Sequence, residues 1–198
     1  WENMKQGLPK FEPIHTYELT DFVLLDTNTR RNLELCETML TKDKKGSLLW
    51  VLDKTKTAMG KRLMRSFVLQ PLLSIPEITL RQNAVEEFSN DTVMRCEAQE
   101  YMSGIRDIER MMTKIVYGTA TAKELLALAA TAHRFPYIKQ LLASANCKML
   151  KSIYNDIDTL DEIVALIDAA ISEDAPATVR EGKIIKKGYN EQVDMLRE

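Results

Sequence analysis

The 198-residue sequence predicts a mainly α fold, a multi-helix and bundle-like core with a short non-helical N-terminal lead-in. Three observations carry that expectation. Apolar side chains recur every three or four residues through most of the chain, the spacing that places them on one face of a helix. Ser, Thr or Asp residues stand just before several of these segments, where a side-chain oxygen can accept from the free amides of a first helical turn. Only seven glycines and six prolines punctuate a chain that is 45% hydrophobic and 28% charged, which disfavours both an all-β fold and a disordered polymer.

The elements follow in order. Residues 1–25 contain Pro9 and Pro13 and then the apolar run YELTDFVLLD, read as a lead-in with a short strand or a buried helical turn. Asp26 or Thr27 can cap a helix through TRRNLELCETML, where Leu33, Cys36 and Leu40 recur at helical spacing, and the polar TKDKKGS ends it. Helices are expected over about residues 47–53 and 57–70, the second stopped by Pro71. In that second helix Met59, Leu63, Met64, Phe67 and Val68 form the inward stripe, with Lys61, Arg62 and Arg65 on its other sides. Ser74 and Glu77 have capping-box spacing, and Pro76 suits the first turn of a helix through Phe88.

Tyr101, Ile105, Ile108, Met112 and Ile115 step by 4, 3, 4 and 3, which predicts a single helix across EYMSGIRDIERMMTKIVYG, closed by Gly118. Thr121 and Glu124 make a second capping box, leading ELLALAATAHRF to a stop at Pro136. YIKQLLA and TLDEIVALIDAAI are further amphipathic pieces, and in the latter Ile163, Leu166, Ile167, Ala170 and Ile171 share a face. SEDAPATV reads as a loop. REGKIIKKGYNEQVDMLRE then begins turn-rich around Gly182 and Gly188 and ends as an interrupted helix through Val193 and Leu196. The expected total is seven or eight helices.

No apolar run approaches the roughly 20 residues that cross a bilayer, and WENMKQGLPK lacks the pattern of an export signal. Cys36, Cys96 and Cys147 are odd in number and have no partner at metal-ligand spacing, which fits a reducing, cytoplasmic setting. A start on Trp1 and a finish inside a helical pattern suggest a piece of a longer protein.

Chemistry is sought first where charge concentrates. Net charge is -2, yet residues 46–72 carry five basic groups and one acid. Gly60-Lys61-Arg62 is not a phosphate loop, because Arg62 stands where a hydroxyl residue is needed and Thr55 where a glycine is needed. Lys54, Lys56, Lys61, Arg62 and Arg65 remain candidates for contact with a DNA backbone, which would make binding salt-dependent. A solvated basic helix face accounts for the same letters and is the plainer reading. His15 and His133 have no nucleophile or carboxylate nearby in sequence, and Glu86, Glu87, Asp156 and Asp158 read as caps or surface groups, so no hydrolase is expected. The ten methionines fit core filling better than an adaptable groove, and REGKIIKK fits a solvated turn or short hairpin better than a basic contact surface. No catalytic, cofactor-binding or metal-ligating residue is assigned.

Longer segments say more. LLDTNTRRNLEL at 24–35, GSLLWVLDKTKTAMGKRLMRSFVLQPLLSIPEITLRQNAVEEF at 46–88, IRDIERMMTKIVYG at 105–118 and VREGKIIKKGYNEQVDMLR at 179–197 resemble, in order and spacing, consecutive landmarks of the MutS family of bacterial DNA mismatch repair proteins. The resemblance implies that residues 1–22 are a connector-domain tail, 23–178 the first part of a helical core or lever domain, and 179–198 the start of the lever arm leading to a clamp domain. Proteins of that family are dimers that bind mismatched double-stranded DNA and use ATP with Mg to become sliding clamps that recruit MutL. By the same resemblance this segment is non-catalytic, carries no cofactor, and couples mismatched-DNA binding and clamp closure to ATP binding and hydrolysis. The family's Phe-x-Glu mismatch reader and its phosphate loop are absent from these residues, so no functional residue carries over. Two alternatives stay open, a helical protein-interaction scaffold and a weak sequence-independent DNA-backbone binder, which differ in salt dependence.

Overall fold

The computed structural model describes residues 21–176 and 178–197. Most of the expected lead-in, with Pro9, Pro13 and His15, lies outside the described residues. Within them the chain forms eleven α-helices and no strand. In order these are α1 (Thr27–Asn32), α2 (Leu48–Leu52), α3 (Ala58–Leu69), α4 (Ile75–Asn90), α5 (Thr92–Ser103) and α6 (Ile108–Val116). There follow α7 (Ala122–Ala132), α8 (Phe135–Leu142), α9 (Lys148–Asp156), α10 (Asp161–Ala170) and α11 (Glu191–Met195). None of the described helices is long and apolar enough to cross a membrane.

The first group packs α2 on α3 around Leu35, Leu49 and Val68. Here the structure corrects the sequence expectation of a helix running to Leu40. α1 stops at Asn32 because Glu34 takes a left-handed conformation at φ +48°. Its amide bonds to Arg31 O and that of Leu35 to Arg30 O, the paired bonds of a Schellman ending. The turn buries Leu35, whose carbonyl accepts from Leu49 N at 2.8 Å, and leaves Leu40 at 90% exposure. Ser47 caps α2 and Thr57 caps α3, both as their positions predict. An isolated antiparallel bridge between Phe22 and Leu72 ties the two ends of this group together. Of the stripe expected on α3, Val68 is buried, whereas Leu63 is turned outward at 55% exposure.

A second group packs α4 on α5 and α9, and α8 on α5 and α9. Its centre is Ala84, Met94, Leu142, Ala145 and Leu150. Ser74 stands at the N-cap of α4, but its side chain makes no capping bond, and the helix runs two residues beyond Phe88, to Asn90. Asp91 then starts α5.

The third group packs α7 against α6 and α10 around Met111, Leu128, Ala129, Ile167 and Ile171. The single helix expected across residues 100–118 is two helices, broken between Gly104 and Asp107. A Cβ on Gly104 would lie 2.1 Å from the Arg134 guanidinium carbon, so this glycine admits the arginine, which donates to Tyr101 O at 3.4 Å. Thr131 Oγ1 accepts from Arg106 N across the break, and Asp107 restarts the helix as its cap. Met111 is consequently the buried methionine of α6 and Met112 is 44% exposed. The capping box of Thr121 and Glu124 forms in full, and Gly118 closes α6 at φ +67°. On α10 the buried face is Val164, Ile167 and Ile171, while Ile163 and Leu166 point outward, a rotation from the expected stripe. After α10 the chain returns so that Ile185 bridges Ile171 and Ile184 joins the third core.

Candidate functional site

The five basic residues singled out in the sequence are all exposed, and the fold divides them. Lys54 and Lys56 lie in the connection before α3, the Lys54 ammonium 6.0 Å from the centre of the Trp50 ring. Asp53 organises that connection by accepting from Thr55 Oγ1 and Thr55 N at 2.6 and 3.2 Å, bonds that hold its carboxyl below the usual range. Lys61, Arg62 and Arg65 project from α3. Gly60 has a local reason. It donates its amide to the capping Thr57 Oγ1 at 2.9 Å, and a Cβ there would sit only 2.9 Å from that oxygen. The glycine thus serves the cap of α3.

Arg62 is where the charge becomes geometry. Its Nη1 and Nη2 donate to the two carboxylate oxygens of Asp107 at 2.8 Å each, and Nη2 also donates to Glu109. Asp107 is at the same time the cap of α6, accepting from Arg110 N at 3.4 Å, and it receives Arg110 Nε at 3.3 Å. The Arg62 fork holds the Asp107 carboxyl down at about 2, and the two acids hold Arg62 still more firmly protonated than usual. One carboxylate therefore ties α3 of the first group to the start of α6 in the third. A second tie from α3 is the Arg81 guanidinium of α4, 3.7 Å above the Phe67 ring.

On the neighbouring face of α3, an open cleft of about 310 Å³ is lined by Arg30, Arg62, Arg65, Ser66, Leu69 and Gln70. Its lining residues include three arginines and no acid. Arg30 comes from the last turn of α1 and was not among the residues read from the sequence, because nothing local links it to α3. Asp107 and Glu109 were missed for the same reason, although Asp107 carries the ordinary signal of a cap before an apolar helix.

Elsewhere the charged residues serve structure. Glu87 on α4 accepts from Asn146 N and Cys147 N at 2.6 and 2.8 Å, so it caps α9 from another helix, and those amides hold its carboxyl below the usual range. Lys114 pairs with Glu124, which also accepts from Thr121 N at 2.9 Å, and together they bring Glu124 down to about 2. His133 Nε2 lies 2.9 Å from Asp168 Oδ2, an exposed pair joining the end of α7 to α10. Cys36, Cys96 and Cys147 are free thiols. Among the described residues no group of three or more His, Cys, Asp or Glu is placed to hold a metal ion.

Comparison with known sequences gives a consistent set of relatives. Residues 28–198 match the sequence profile of MutS domain III. The chain is 44% identical over 197 residues to the DNA mismatch repair protein MutS of Lachnoclostridium phytofermentans, a match covering 100% of this chain and 21% of that protein. It is 45% identical over 193 residues to the MutS of Ruminiclostridium cellulolyticum, covering 98% of this chain and 22% of that protein. The MutS of Alkaliphilus oremlandii is 45% identical over 192 residues, covering 97% and 22%. The chain thus spans about a fifth of the length of the curated relatives it matches.

Proposed function

The chain belongs to the MutS domain III family, and from that premise we propose that it is the non-catalytic core and lever segment of a DNA mismatch repair protein. In the full-length protein it couples binding of mismatched double-stranded DNA and closure of the clamp to ATP binding and hydrolysis carried out elsewhere in the chain. MutL and a second MutS subunit are the protein partners this reading entails, and the cytoplasm is its setting. Residues 1–22 are the connector tail, 23–178 the core, and 179–198 the start of the lever arm.

The observation that carries the coupling role is the joint between Arg62 and Asp107. Packed helical groups move as rigid units between discrete arrangements, so a lever needs few and well-defined ties between them. An exposed bidentate ion pair that also caps a helix is such a tie. The test is made in the full-length protein with Asp107→Asn and with Asp107→Ala, which break the tie and leave Arg62 in place. Affinity for a mismatched duplex without nucleotide should hold, while the release of that duplex on adding ATP should be impaired. An unaltered ATP response in both variants sinks the coupling role and leaves a helical interaction scaffold. The isolated chain should show no ATP hydrolysis and little preference for mismatched over matched duplex at physiological salt.

A second reading, contact with the DNA backbone through Lys54, Lys56, Lys61, Arg62 and Arg65, is favoured by the exposure of all five and by the absence of any acid from the cleft beside Arg65. Salt is its test: affinity for duplex DNA should fall steeply as ionic strength rises, and a flat dependence rejects it.

A further inference from the structure

We propose that the cleft between α1 and α3 is a phosphate-oxyanion site, held by Arg30 and Arg65, with Arg62 as an exchangeable third guanidinium. The proposal rests on the backbone-contact reading above and sharpens it, since it assigns the anion to one cleft and brings in a residue that reading lacks.

The composition of the cleft is its first support. Its polar lining residues are Arg30, Arg62, Arg65, Ser66 and Gln70, with no acid among them. Arg62, Arg65, Ser66 and Leu69 share one face of α3, at spacings of three and four residues, and Arg30 arrives from a different helix. Arginines from two helices therefore line one cleft, which a basic face confined to a single helix does not provide. Among the described residues neither Arg30 nor Arg65 makes an ion pair. The guanidinium fork matches phosphate bidentately, and a phosphoryl group has enough acceptor oxygens for several forks at once. The volume of about 310 Å³ is on the order of ten waters at ~30 Å³ each, room for a phosphoryl group with part of its hydration.

The second support is the manner in which Arg62 is held. Asp107 takes both of its terminal nitrogens, while Glu109, 67% exposed, takes only one of them and takes it in competition with Asp107. An entering oxyanion therefore displaces Glu109 and leaves the Asp107 fork in place. Removing the Glu109 charge should tighten the site, an effect that a general electrostatic surface shares only weakly.

The test uses the 198-residue chain, with inorganic phosphate followed by arginine Nε–Hε NMR and a labelled duplex of about two helical turns followed by fluorescence anisotropy. Arg30→Gln and Arg65→Gln should each weaken binding about tenfold and lower the salt slope by about 1. Glu109→Gln should tighten it about two- to fivefold. Lys123→Gln, at an exposed position of α7 outside the cleft, should change it less than twofold, and Arg65→Lys, which keeps the charge without the fork, should fall between wild type and Arg65→Gln. The Lys variant also decides the matter should Arg65→Gln fold poorly. Equal losses at Lys123 and Arg65 overturn the site. Duplex binding that survives Arg30→Gln and Arg65→Gln yet falls on substituting Lys54, Lys56 and Lys61 also overturns it, while the broader backbone reading stands. Saturable phosphate binding without duplex binding upholds the cleft and rejects nucleic acid as its source. Binding of an acidic peptide in preference to both overturns the phosphate assignment, and absence of all binding overturns both readings.

Discussion

Arg62 and Asp107 meet fork to fork, each terminal guanidinium nitrogen 2.8 Å from a different carboxylate oxygen, so the group that caps α6 is also the anchor of α3. Two jobs on one side chain predict a graded response. Asp107→Asn keeps a competent cap and loses the charge, Asp107→Ala loses both, and Glu109→Gln loses only the outer contact. Urea denaturation should rank them Ala, then Asn, then Gln in order of decreasing damage. Arg62→Lys should not restore the wild-type midpoint, because a point charge cannot reproduce the fork. The double variant at Arg62 and Asp107 should be less destabilised than the sum of the singles. Strict additivity would show that the fork contributes nothing.

Acid should weaken this fold through the same groups. Asp107 is held at about 2, chiefly by Arg62, against 3.8 in its unperturbed state. Glu124 is held at about 2, chiefly by Lys114 and then by the Thr121 amide, against 4.5. A carboxyl whose folded value lies below its unfolded value adds stability that is present above the unfolded value and lost as pH falls through the folded one. Unfolding midpoints should therefore drop from about pH 5 down to about pH 2. Glu124→Gln should be less stable at pH 7 and show a shallower drop. A drop as steep in that variant as in wild type would refute the assignment.

Thr131 is fully buried at 0% exposure, donating Oγ1–H to Ala127 O at 2.8 Å and accepting from Arg106 N at 3.3 Å. Thr131→Val preserves the shape and strands the Arg106 amide, which should cost about 1–3 kcal/mol by denaturant titration. Thr131→Ser keeps the hydroxyl and should cost less. Equal losses in the two would mean that the methyl group, and not the hydrogen bond across the break before α6, is what matters.

The rotated face of α10 separates neighbouring residues. Ile167 is 7% exposed in the third core and Leu166 is 58% exposed. Ile167→Ala should cost about 2–5 kcal/mol, and Leu166→Ala within about 0.5 kcal/mol. The reverse order would restore the stripe expected from spacing alone.

Helix starts were the most legible features of the sequence. Ser47, Thr57 and Thr121 cap where their positions predict, and Glu124 completes its box. These bonds span three residues, so the information is local. Stops and faces were less legible. Spacing alone continued α1 to Leu40, but burial of Leu35 beside Leu49 ended it with a glutamate in the position usually given to glycine. Spacing alone joined α5 to α6, but Thr131 and Arg134, distant in sequence, hold the chain broken there. The basic residues of α3 were legible as a cluster, whereas the division of labour among them was not, because Arg30, Asp107 and Glu109 reach them only through folding.

The amino-acid sequence by itself determined the helical class, several helix starts and membership of the MutS domain III family, since caps, periodicity and extended matched segments are all properties of neighbours along the chain. The tertiary structure alone decided which stripe of each helix is buried, where two helices replace one, and that Arg62 is tied to Asp107 while Arg30 and Arg65 face an acid-free cleft. Those outcomes turn on competition between distant groups for the same space and the same partner. A guanidinium some 45 residues away in sequence can claim a helix cap only after the packed cores have brought the two together.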